Sequence, residues 1–93
     1  MLSEIQKNKF TKRAKEEAKK LFEELKIEKI NDDNICDLEK ELDIRVSGLV
    51  TMHECENLEI DEELLEIYDL LTDIVMDNEY DLDFLNKLFF DLD

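Results

Sequence analysis

Backbone punctuation is almost missing from this chain. Proline is absent, and Gly48 is the one glycine among 93 residues. Proline presets turns, and glycine supplies the left-handed conformations that tight hairpins need. A many-stranded fold would need such residues roughly every 8–12 positions. Leucine, glutamate and lysine are abundant and favour helix, while aspartate suits helix N-caps. The expected fold class is therefore all-α: a compact bundle of about four or five helices. Its length makes residues 1–93 a single domain. The hydrophobic fraction of 43% is ordinary for a globular chain, so a core is expected despite the charge.

Apolar periodicity places the helices. Ser3 and Gln6 fit a capping box, which predicts a first helix over residues 4–26. Its stripe is Phe10, Ala14, Ala18, Leu21, Phe22 and Leu25, with Leu2 and Ile5 lying off it. Residues 27–31 read as a connector. Asp32, Asp33 and Asn34 compete to cap a second helix that carries Ile35, Leu38 and Leu42 and ends near Asp43. A turn over residues 44–47 leads to a third helix, capped by Ser47 and carrying Leu49, Met52 and Cys55. Residues 57–60 break the pattern. Asp61 caps the clearest helix, Glu62–Asp77, whose apolar face is Leu64, Ile67, Tyr68, Leu71, Ile74 and Val75. Asp81 caps a last helix with Phe84, Leu85, Leu88, Phe89 and Leu92. Phe89 and Phe90 are adjacent, so both are not expected to face one core. One of them would then serve an interface or a homodimer contact.

Residues 38–71 resemble the helix-turn-helix region of the lambda-repressor-like DNA-binding family. The family's apolar spacing falls on Leu38, Leu42, Ile44, Leu49, Met52, Leu64, Leu65, Ile67 and Leu71. The resemblance implies a helix-turn-helix in the middle of the fold. The segment departs from the family at Glu39, where a small residue is usual, and at Asp43, where glycine is usual. The stretch corresponding to the recognition helix, residues 47–57, has no Lys or Arg and carries Glu54 and Glu56. It lacks the electrostatic attraction that supplies most non-specific DNA affinity, so the resemblance concerns fold more than DNA binding.

Charge is distributed unevenly. The net charge is −15, and residues 46–93 hold fifteen Asp/Glu against Lys87 alone. That half should repel nucleic acid and anionic membrane. No apolar run reaches membrane-spanning length, and residues 1–10 lack the apolar core of a signal peptide, so a cytoplasmic location is expected. Cys36 and Cys55 are then expected as free, largely buried thiols, with His53 on the surface.

Little in the sequence points to chemistry. His53 and Cys55 lack the paired spacing of zinc sites. Residues 77–83 lack the glycine of a calcium loop, with Leu82 in its place and Leu88 where the closing glutamate belongs. There is one histidine and no glycine-rich phosphate loop. No enzyme activity, cofactor or metal is expected. The candidate site is instead a surface. Glu62, Glu66, Asp69, Asp73 and Asp77 recur at steps of three and four along one helix face, with Leu70 beside them as an exposed apolar contact. Such a row suits a protein partner with a basic surface, such as a nuclease or another nucleic-acid-binding protein, occluded by nucleic-acid mimicry. Small acidic inhibitors from phages and mobile elements, anti-restriction and anti-CRISPR proteins among them, are similar in composition. A helix-turn-helix regulator and a plain protein–protein adaptor are the alternatives.

Overall fold

The computed structural model describes residues 2–90. They form five helices: α1 (Glu4–Lys9), α2 (Lys12–Glu24), α3 (Ile35–Glu54), α4 (Glu62–Asp77) and α5 (Leu82–Phe90). No strand occurs among the described residues. Leu92, expected on the last helix, lies outside them.

The capping box forms as expected. The Ser3 hydroxyl accepts the Gln6 N–H at 3.1 Å, and the Ser3 N–H donates to Gln6 Oε1 at 3.0 Å. The single helix expected over residues 4–26 is divided. Phe10 leaves helical geometry, and Thr11 starts α2 by accepting the Ala14 N–H. The break lets α1 lie against α4 while α2 packs on both α4 and α5. It also explains why Leu2 and Ile5 fall off the α2 stripe: they belong to a helix with another direction. Helix α2 closes in a Schellman motif, with the Ile27 N–H bonded to the Phe22 carbonyl and the Lys26 N–H to that of Glu23. Lys26 therefore takes a left-handed φ of 58°, a conformation that suits glycine better.

The connector that follows is held from a distance. Ile30 is buried, and Asn86 of α5 grips its backbone twice. Asn86 Oδ1 accepts the Ile30 N–H at 2.8 Å, and Asn86 Nδ2 donates to the Ile30 carbonyl at 2.9 Å. The turn before α3 is organised by Asn31, whose side-chain oxygen accepts the N–H groups of Asp33 and Asn34. Of the competing caps Asp32, Asp33 and Asn34, it is Asn34 that holds the N-cap position, without a side-chain cap bond.

Helix α3 runs unbroken through residues 44–47, where a turn was expected, and Ser47 is interior to it. Residues 44–47 contain neither glycine nor proline to force an exit, and Arg45 ties the segment down. Its guanidinium bonds Glu41 one turn back, Glu24 of α2 and the Tyr68 hydroxyl of α4. It also lies over the Tyr68 ring at 5.6 Å. The segment that resembles a helix-turn-helix therefore lacks the turn between its first two helices.

The core joins Ala14, Ala18, Leu21 and Phe22 of α2 to Leu38 and Leu42 of α3, to Ile67, Tyr68, Leu71, Ile74 and Val75 of α4, and to Leu85 and Phe89 of α5. Phe89 and Phe90 both reach one ring, Phe22, at centroid separations of 5.2 and 4.8 Å. The expectation that one of them would point away is corrected, because Phe22 at the end of α2 spans the two directions. Phe10 meets Phe89 edge-on at 5.9 Å. No described helix is long and apolar enough to cross a membrane.

Candidate acidic interface

Helix α4 begins where Asp61 accepts the Leu64 N–H at 3.1 Å. Arg13 of α2 reaches the same carboxylate and, at 2.8 Å, that of Glu63. This pair orients the start of α4 against α2. The Arg13 hydrogen bond, then the Leu64 N–H, holds the Asp61 carboxyl below its usual range.

From that start the row Glu62, Glu66, Asp69, Asp73 and Asp77 follows on the exposed side of α4. Leu70 does not stand beside it in solvent. It is 6% exposed and belongs to the core. The reason is the separate helix α1: it covers the flank of α4 that carries Leu70, a flank left bare if residues 4–26 are one rod. The expectation that Leu70 is an exposed contact is corrected. Leu70 lines a shallow cleft between α1 and α4, with Ile5, Gln6 and Lys9 on one wall and Glu66, Asp69 and Asp73 on the other.

Two neighbours modify the row. Gln6 donates to Asp77 Oδ2 at 2.8 Å, so the last carboxylate also fastens α1. Asp73 carries a carboxyl raised above its ordinary value by partial burial and by the charges of Asp69 and Asp77, with Lys9 opposing. Within the row, the charges of Asp69 and Asp77 thus make Asp73, which lies between them, harder to ionise. A second carboxyl pair lies elsewhere. Glu39 of α3 is raised by partial burial, then by a shared hydrogen bond with Glu79 and by its charge.

The sequence placed the row correctly but missed Gln6 and Lys9. The capping box shows what Gln6 does locally, and nothing local shows that it also meets a residue 71 positions away. The remaining candidates lie apart from the row. Cys36 and Cys55 are exposed, not buried as expected, and His53 is exposed in the last turn of α3. Among the described residues no group of three or more His, Cys, Asp or Glu is arranged to hold a metal ion. Asp81, within the stretch compared with a calcium loop, caps α5 by accepting the Phe84 N–H.

No protein-family model, curated protein or solved structure matches this chain.

Proposed function

We propose that the chain is a non-enzymatic acidic binding protein that occupies a basic nucleic-acid-binding surface on another protein. The observation that carries this reading is the exposed row of five carboxylates on α4. An α-helix holds such a row straight over roughly 22 Å, with α4 itself packed on α1, α2 and α3. A groove built for phosphates meets there a preset line of negative charge, which speeds encounter and excludes the nucleic acid. Residues 46–86 contain no Lys or Arg, so little on that half opposes the attraction. The partner is a protein, and direct contact with nucleic acid or membrane forms no part of this function.

The test is capture of the partner by the full chain, followed by competition. The captured protein should release at high salt and should be displaced by duplex DNA or RNA. Charge reversal by E66K, D69K and D73K together should abolish capture with helicity retained. Unchanged capture by the triple variant would remove the row from the function. An adaptor that uses acid only for solubility would hold its partner at high salt. A DNA-binding regulator would bind random duplex at low salt.

A further inference from the structure

The second half of α3 carries a different feature. The buried residues of this helix are Ile35, Leu38 and Leu42, and none lies in its last twelve positions. Ile44 and Met52 are instead 63% and 45% exposed, and Leu58 just past the helix is 51% exposed. Ile44, Gly48 and Met52 follow one another at steps of four, so they share one side of the helix. Among the described residues a Cβ placed on Gly48 would meet nothing within 4 Å, so they leave the side uncovered at its centre. The Leu58 N–H bonds to the Met52 carbonyl at 2.9 Å, so the loop residue is tied back to the helix end.

We propose that the line Ile44, Gly48 and Met52, extended by Leu58, is a docking face for a basic amphipathic helix of a partner protein. Two apolar side chains flanking a glycine let another helix approach closely at the centre, its own apolar face on Ile44, Met52 and Leu58. Charge selects the occupant. Glu54, Glu56 and Glu59, all exposed, flank Met52 and Leu58 in sequence at the far end, followed by Asp61, Glu62 and Glu63. At the near end Asp37 and Glu41 accompany Lys40 and Arg45, and Arg45 is already held by Glu24 and Glu41. A partner helix with Lys or Arg flanking its apolar face meets complementary charge at the far end. A second copy of this chain, with net charge −15, would bring acid against acid. This face lies on α3 and is separate from the α4 row, so each stands or falls on its own test.

A short synthetic helix of leucine and lysine, with the leucines on one side, serves as the probe. A scrambled peptide of the same composition is the control. The isotopically labelled full chain is titrated with each at about 0.15 M salt. The amphipathic peptide should bind saturably and shift the amide resonances of residues 44–58. It should bind at least about tenfold tighter than the scrambled control. M52S and L58S should each weaken it by about tenfold, and E54Q with E56Q and E59Q should do the same without touching an apolar contact. Circular dichroism confirms that these surface variants keep their helicity. Equal binding of the two peptides would overturn the proposal, as would shifts centred on residues 62–77 or variants that bind normally. A concentration-dependent dimer in sedimentation that M52S dissolves would also overturn it, by assigning the face to a second copy.

Discussion

At the scale of single residues, the fold contains both strained and tightly matched positions. Lys26 occupies the left-handed position that closes α2, and a side chain there costs on the order of 1 kcal/mol relative to glycine. Lys26→Gly should therefore raise stability by about 0.5–1 kcal/mol, read from chemical denaturation. Leu70 tests the opposite case. Its burial beneath α1 means that Leu70→Ala should cost about 2–5 kcal/mol, where an exposed leucine would change stability little. Gly48 sits mid-helix with open space around its Cα. Gly48→Ala should stabilise by about 1 kcal/mol, visible as a higher melting temperature. The caps at Ser3, Asp61 and Asp81 were legible in sequence because a cap acts within three residues. Leu70 was not legible, because its exposure depends on a helix more than sixty positions earlier.

At the scale of elements, the sequence placed α4 and α5 well and misplaced the joints of the rest. Both errors have one origin: this chain lacks the glycine and proline that mark joints, so they must be inferred from caps. Thr11 caps a helix inside what periodicity reads as one rod, and Ser47 is a cap-forming residue that caps nothing. Tertiary contact decides both, through Phe10 on Phe89 in the first case and Arg45 on Glu24 and Tyr68 in the second. The carboxyls between elements have a pH consequence. Glu39 and Asp73 are raised in the folded chain, so the fold prefers them protonated. Their ionisation destabilises the fold at neutral pH, and that penalty fades as pH falls through their raised values towards the ordinary carboxylate range near 4. Asp61 is lowered, so its stabilising contribution is present above its ordinary value and is lost as pH falls through its folded value. Melting temperature should therefore rise on mild acidification before it falls in stronger acid. Glu39→Gln and Asp73→Asn should each raise it at pH 7 and flatten the rise. A profile that declines steadily from neutrality would contradict this account.

At the scale of the whole molecule, charge is arranged by sequence half and partly reconciled by folding. Helices α1 and α2 bring Lys9 and Arg13 to α4, which offsets part of the repulsion among its carboxylates. Exposed ion pairs are worth little one at a time, and the unpaired excess of acid remains. Added neutral salt should therefore stabilise the protein, because screening weakens net self-repulsion more than it weakens these few pairs. A fall in melting temperature with salt would show that the pairs dominate. The row itself was legible from spacing alone, while the clamp of Asn86 on Ile30 joins positions 56 apart and leaves no local trace. That clamp also depends on a single side-chain amide staying intact. Hydrolysis of the Asn86 amide to a carboxylate would preserve its shape almost completely. The remaining oxygen would still accept the Ile30 N–H, but the former donor would become a negative charge aimed at the Ile30 carbonyl. One deamidation would thus turn the attachment between the α2–α3 connector and α5 into a repulsion.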